Sequence, residues 1–142
     1  MKKAITILML IAAIMVGTAT AEAKTTKKSK SSSSSSWNGD IPSASLIYKL
    51  YVSNNGSELK KHGYKEINES DPFGCPVYLT WVKSGVCKIF YEHGCEAGDD
   101  DMRIEVYDSS KCTKLYNDLK KKYGKKFYIT REGNQIYMSW DN

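Results

Sequence analysis

The aromatic residues of this chain are confined to one part of it. All 16 Phe, Trp and Tyr residues follow the run of six serines that ends at Ser36. Because a hydrophobic core needs bulky apolar side chains, residues 37–142 are the stretch able to fold around one. That stretch has about 106 residues, which suits a single small domain. It is too short for an α/β barrel or a two-half dinucleotide-binding fold.

Residues 1–23 have the layout of a secretory signal peptide. Two lysines precede an apolar run over residues 4–16, and small residues end the segment. The apolar run is shorter than the ~20 residues that a membrane-spanning helix needs. We therefore expect cleavage near Ala21 or Ala23, a secreted or periplasmic protein, and no stable insertion into a membrane.

Residues 24–36 contain only Lys, Thr and Ser, a composition typical of a disordered linker. The basic excess of the chain lies there and in the leader, since residues 37–142 hold 15 Lys+Arg against 15 Asp+Glu. A balanced domain lacks the positive field that nucleic-acid binding requires, so we expect no nucleic-acid partner. The linker itself can make weak contacts with an anionic surface, such as lipid headgroups or an acidic wall polymer.

Two periodicities alternate along residues 37–142. Apolar residues at helical spacing predict helices over residues 43–52 and 109–123, and a short helical turn over residues 58–62. Runs rich in β-branched and aromatic residues predict strands over residues 64–67, 77–83, 86–92, 102–107, 127–130 and 135–140. This order predicts a two-layer α+β domain. We expect an antiparallel sheet of about five to six strands, two helices on one face, and disulfides that staple them.

Four cysteines in an exported domain indicate disulfides. With a turn at residues 84–85, the hairpin of residues 77–92 places Cys75 across from Cys95. Cys87 lies on a strand face with apolar neighbours, and Cys112 lies on the apolar face of the second long helix. We therefore predict the bonds Cys75–Cys95 and Cys87–Cys112.

A zinc site is the alternative for these side chains, with Cys87, His93, Cys95 and Cys112 as ligands. No Cys-x-x-Cys spacing is present, and export favours oxidation of the cysteines. We therefore expect disulfides, no metal and no cofactor.

The segment from His93 to Asp101 is the first candidate binding region. Its three consecutive aspartates suit a basic partner or a basic cleft, and a neighbouring disulfide would stiffen it. The aromatic residues of the hairpins are the second candidate region. The candidate binding residues are His93, Asp99, Asp100, Asp101, Trp81, Tyr91 and Tyr137.

No Gly-x-Ser-x-Gly, His-Glu-x-x-His or glycine-rich phosphate motif occurs in the sequence. The first hypothesis is therefore a non-enzymatic binding protein of inhibitor or immunity type that recognises another protein through its loops. One alternative is a small secreted, nuclease-like hydrolase using His62 or His93. It requires a carboxylate or a second histidine within hydrogen-bond reach. The other alternative is a carbohydrate or cell-wall binding module with exposed aromatic rings.

Overall fold

The computed structural model of the protein describes residues 37–96 and 99–140. The predicted signal peptide and linker lie outside these residues. No helix in the described ranges is long and apolar enough to cross a bilayer. The described elements, in chain order, are β1 (Trp37–Asn38), β2 (Ile41–Pro42), α1 (Ala44–Ser53), α2 (Ser57–Lys61), β3 (Lys65–Asn68), β4 (Val77–Lys83), β5 (Cys87–His93), β6 (Asp100–Val106), α3 (Ser109–Tyr123), β7 (Phe127–Glu132) and β8 (Gln135–Trp140).

Strands β3 to β8 form one antiparallel sheet of six strands in the order β3-β4-β5-β6-β8-β7. Strands β3 to β6 lie side by side in chain order, as in a meander. The last strand, β8, then lies between β6 and β7. Strands β1 and β2 form a separate two-stranded pair. The predicted α+β architecture is confirmed, with the strand number at the upper end of the expected range.

One face of the sheet forms the core. Trp81, Ile89, Ile104 and Ile136 are successive cross-strand partners on β4, β5, β6 and β8, and each is fully buried. Because side chains alternate along a strand, their neighbours point to the opposite face. Those neighbours are half-buried or exposed. The sheet therefore has one face in the core and one open face.

Helices α1 and α3 begin at the residues that the sequence favours as caps. The Ser43 hydroxyl accepts a hydrogen bond from the Leu46 amide at 3.3 Å, and the Asp108 carboxylate accepts one from the Lys111 amide at 3.0 Å. These bonds satisfy amides that the first helical turn leaves unpaired. Helix α3 packs over β6, β7 and β8 and against α1, so it covers the half of the sheet that includes the β7–β8 hairpin.

The predicted Cys75–Cys95 disulfide is confirmed, with the two Cα atoms 5.5 Å apart. The register explains it, since Val77 pairs with His93 and the two cysteines lie just beyond this pair. Strand β5 begins at Cys87, one residue later than predicted. The turn has three residues because Gly85, at φ +69°, reverses the chain in a backbone conformation that favours glycine.

The predicted Cys87–Cys112 bond is wrong, since both residues are free and buried thiols in the structure. Cys87 lies on β5, whereas α3 carries Cys112 over the neighbouring strands β6, β7 and β8. Each sulfur also has its own polar neighbour, the Tyr64 hydroxyl for Cys87 and the Arg131 side chain for Cys112.

Candidate functional site

Two loops at one end of the six-stranded sheet are joined by the Cys75–Cys95 disulfide. One connects β3 to β4, and the other connects β5 to β6. With the adjoining strand ends they form what we call the loop pair, which comprises residues 69–76, 92–96 and 99–101. These segments contain seven carboxylates, one histidine and no Lys or Arg. The loop pair therefore carries a concentrated negative charge in a domain whose overall charge is balanced.

Phe73 is the most exposed large apolar side chain of the described residues, at 95 % of its full area. Its backbone is nevertheless well held. The Asp71 carboxylate accepts a hydrogen bond from the Phe73 amide at 2.7 Å, and the Asp71 carbonyl accepts one from the Gly74 amide at 2.8 Å. Gly74 has a φ of +85°, and Cys75 follows it into the disulfide. A fixed turn thus presents a fully exposed phenyl ring to solvent.

The second loop closes tightly against itself. The Gly94 amide donates a hydrogen bond to the Asp99 carbonyl at 3.0 Å, and a Cβ atom at position 94 would lie 2.8 Å from that carbonyl oxygen. Glycine is therefore required at this position for the close approach of the two backbone segments. Asp99 and Asp101 are exposed at the surface of the loop pair. Ala97 and Gly98 lie outside the described residues.

His93 and Asp100 lie at the base of the loop pair as a cross-strand pair of β5 and β6. The His93 Nδ1 atom is hydrogen-bonded to the Asp100 carboxylate, which is 16 % exposed, while the imidazole is 45 % exposed. The Tyr51 hydroxyl donates to the Asp100 carbonyl, and the Tyr91 hydroxyl contacts the Asp100 carboxylate. Burial, and next the charge of Asp100, raise the pKa of Tyr91 to about 12. The carboxylate is therefore held by two side chains of β5, and the backbone of the same residue is held by Tyr51 of α1.

Trp81 and Tyr91, predicted as exposed contact residues, are both buried. Trp81 lies in the centre of the core, where its indole Nε1 donates to the Glu66 carboxylate at 2.8 Å. Tyr91 lies two residues after Ile89 on β5 and so shares its inward face. The prediction of an aromatic contact surface at these two positions is therefore wrong, because both belong to the core face of the sheet.

Tyr137 lies instead on the open face and lines a groove of about 330 Å³. Phe90, Arg103, Tyr137 and Thr130 form a continuous cross-strand row over β5, β6, β8 and β7. The Arg103 guanidinium lies 5.5 Å from the centre of the Phe90 ring, a cation–π distance. We call this region the sheet groove, and its side-chain lining is completed by Asp101, Tyr128 and Ser139.

The two histidines are not brought together. His62 follows α2 and stacks on Trp37, with their ring centres 3.6 Å apart. It lies near the end of the sheet where Lys65 pairs with Val82, whereas His93 lies at the opposite end of β4. A mechanism that uses both imidazoles on one substrate atom therefore has no geometric support.

Two of the four candidate zinc ligands, Cys95 and His93, are already bonded to other groups of the protein. Cys95 is in a disulfide, and His93 is bonded to Asp100. Among the side chains of residues 37–96 and 99–140, no three of His, Cys, Asp and Glu converge as metal ligands do.

Phe73, Phe90, Arg103 and Tyr128 are surface residues that the sequence reasoning missed. Phe73 stands alone between turn-forming residues, and its exposure has no periodic signal. Phe90 and Arg103 alternate with buried residues on their strands, so that alternation was the available clue.

Comparisons with protein-family models, curated proteins and solved structures find no match for this chain.

Proposed function

We propose that this chain is a secreted or periplasmic, non-enzymatic binding protein of inhibitor or immunity type, which recognises another protein through the loop pair. The observation that carries the proposal is Phe73, a fully exposed phenyl ring on a turn held by hydrogen bonds and a disulfide. Aromatic side chains are enriched at protein–protein interfaces, where a single ring in a partner's pocket can act as the anchor. A pre-fixed loop also loses little conformational entropy when it binds.

Two independent features support a secreted or periplasmic location. The leader over residues 1–23 resembles an export signal in its layout. The Cys75–Cys95 disulfide is of the kind that persists in oxidising compartments. A protein that works outside the cytoplasm needs loops that resist unfolding and proteolysis, and a disulfide between two loops supplies that resistance.

The charge of the loop pair indicates the kind of partner. It holds seven carboxylates and no Lys or Arg, and one of these carboxylates, Asp71, accepts the hydrogen bond of the Phe73 amide. The complementary surface is an apolar pocket with a basic rim. Because the field of such a patch extends over about a Debye length of ~8 Å at physiological salt, it also accelerates the encounter of the two proteins.

Photocrosslinking in the producing cell tests this proposal. A photoreactive phenylalanine analogue at position 73 is compared with the same analogue at position 107, where Tyr107 is 51 % exposed at the opposite end of β6. We expect one protein adduct from position 73 and none from position 107. The captured protein is then purified, and its affinity for the full chain is measured directly.

The substitution Phe73→Ala should weaken that affinity by about tenfold or more, since central aromatic anchors contribute about 1–4 kcal/mol. Thermal stability should not change, because the ring has almost no contact with the protein. The association rate should fall as salt rises, and Asp99→Asn with Asp101→Asn should remove much of that dependence. Equal affinity for the Phe73→Ala variant would contradict the proposal.

One observation favours the hydrolase as a second candidate function. His93 has the carboxylate partner that a general base requires, held by Tyr91 from the same strand. If His93 acts as a base, His93→Gln should lower hydrolysis of RNA or of an activated ester by about 10²-fold or more. His62→Gln should leave it unchanged. Absence of turnover by the oxidised wild-type protein on these substrates would remove this candidate.

A further inference from the structure

The sheet groove differs in character from the loop pair. It is concave, whereas the Phe73 turn projects into solvent. Its volume of about 330 Å³ lies at the small end of the range for small-molecule sites, which is ~300–1,000 Å³. It spans β5, β6, β8 and β7, three strand spacings or about 14 Å. These dimensions suit a small or narrow ligand.

The floor of the sheet groove has no free backbone groups. Phe90, Arg103 and Tyr137 lie on β5, β6 and β8, each of which is paired on both sides within the sheet. An extended peptide that adds to a sheet needs an unpaired strand edge, which these three strands lack and which β7 has only at the rim of the groove. Recognition over β5, β6 and β8 therefore depends on side chains alone.

Those side chains are aromatic rings with one cation and one anion. Tyr128 is 60 % exposed, and the Tyr137 hydroxyl donates to the Gln135 side chain at 2.6 Å, which fixes the position of its ring. Arg103 and Asp101 both line the groove, yet among the described residues neither side chain forms an ion pair or a hydrogen bond. Their donors and acceptors are available to a ligand, and their formal charges cancel.

We propose that the sheet groove binds a neutral oligosaccharide. The flat apolar face of a pyranose ring packs on Tyr128 and Tyr137, while its hydroxyl groups donate to Asp101 and accept from Arg103. The cancelling charges disfavour ligands of high charge of either sign. Unpaired polar side chains beside the rings match a ligand that carries donors and acceptors on the edge of an apolar disc. This site shares Asp101 with the loop pair, but its rings lie on the open face of the sheet and its ligand differs from the partner proposed for the Phe73 turn.

Titration of the full oxidised chain with chitotriose and with cellotriose tests the proposal by nuclear magnetic resonance. We expect saturable shifts of the Arg103 Nε–H and Tyr137 amide signals for at least one of the two sugars. Tyr137→Ala and Arg103→Gln should each weaken binding by tenfold or more. Lys88→Gln lies on the same face outside the groove lining and should leave affinity unchanged.

Three outcomes would overturn the saccharide site. They are the absence of saturable shifts with either sugar, saturation by a tripeptide at lower concentration than by the sugars, and a concentration-dependent dimer that Tyr137→Ala abolishes. Thermal unfolding of each variant establishes that loss of binding is not loss of folding. Phe73→Ala should leave sugar binding intact, so failure of the protein-partner proposal and failure of this one are distinguishable.

Discussion

Gly56 lies beside the indole of Trp81, where a larger residue does not fit. Its φ of −80° is open to any residue, so the requirement is for space alone. A Cβ atom at this position would overlap the Trp81 Nε1 atom and lie 2.9 Å from the Glu66 carboxylate. The same two groups form the hydrogen bond that satisfies the buried indole nitrogen. Any side chain at position 56 must therefore displace a core tryptophan.

Gly56→Ala should destabilise the protein by about 1–3 kcal/mol, the usual cost of overpacking a filled core. Urea unfolding, followed by tryptophan fluorescence, measures the change. Ser57→Ala is the matched control, since Ser57 is exposed and its side chain caps no helix. A wild-type midpoint for Gly56→Ala would show that Trp81 can move without cost.

Burial keeps both free thiols, Cys87 and Cys112, in their protonated form. Burial raises the pKa of Cys87 to about 12, because an ionised sulfur would lose its hydration in the core. The pKa of Cys112 is raised for the same reason, although Arg131 opposes the shift. At pH 8 the thiolate fraction of Cys87 is then about 10⁻⁴, and thiolate is the reactive form.

We expect Ellman's reagent to label neither thiol of the native oxidised protein at pH 8, and two thiols per chain once guanidinium unfolds it. Because the folded pKa lies above the unfolded value of 9.0, the protection decreases as pH rises towards about 12. Fewer than two reactive thiols after unfolding without reductant would contradict the structure, since it would mean that Cys87 and Cys112 are bonded after all.

Side-chain facing could be predicted from the sequence where a strand alternates cleanly. Cys87 and Ile89 indicate an inward face for β5, and Tyr91 belongs to that face by the same alternation. Tyr91 is not exposed, because its position on the inward face of β5 decides its burial and the aromatic type of its side chain does not. Phe73 could not be predicted, because a lone aromatic residue in a turn has no periodic context. Its exposure depends on a turn that long-range contacts hold.

At the scale of elements, the Cys75–Cys95 disulfide is the covalent bond that joins the two loops of the loop pair. The disulfide joins positions 20 residues apart and closes the mouth of the β4–β5 hairpin. Its position could be predicted, because strand register follows from the hydrophobic pattern and the turn. The contacts of helix α3 could not, since the strand order that places it over β6, β7 and β8 follows from long-range pairing.

Replacing both cysteines in the Cys75→Ser, Cys95→Ser variant should lower the free energy of unfolding by about 3 kcal/mol, the value expected for a loop of this length. The β4–β5 ladder should persist, because seven residue pairs hold it together. Denaturant unfolding measures the loss, and amide exchange of residues 69–76 reports loosening of the loop. Ser84→Ala, in the turn at the opposite end of the same hairpin, is the control. Unchanged stability would show that the loops hold each other without the bond.

At the scale of the whole molecule, the sheet has two faces that both carry aromatic residues. Tyr91 and Trp81 face the helices, while Phe90 and Tyr137 face away from them. Residue type alone does not separate these sets, because each contains rings that could fill a core. Only the packing of α1 and α3 against one face decides between them, and that packing is a long-range property. Alternation along the strands separates the two faces at the level of sequence, but it does not show that the open face forms a groove.

Amide hydrogen exchange should divide the sheet into a slow centre and a fast edge. Strands β5, β6 and β8 are paired on both sides, whereas β3 is an edge strand whose four residues are all exposed. We expect amides of β5 and β6 to exchange only through global unfolding, and those of β3 to exchange faster by at least an order of magnitude. Equal protection of β3 and β5 would indicate that a further segment covers the β3 edge.

The position of β8 between β6 and β7 has a consequence for the order of assembly. A nascent chain can pair β3, β4, β5 and β6 one after another, but β7 has no neighbour in the sheet until β8 has been made. Until then the long edge of β6 remains open to strands of other molecules, a known route to aggregation. We therefore expect the final step of folding to be the docking of the β7–β8 hairpin onto β6, together with the packing of α3 over these strands. The sheet therefore stays incomplete, with β6 as an open edge, until the β7–β8 hairpin has been made.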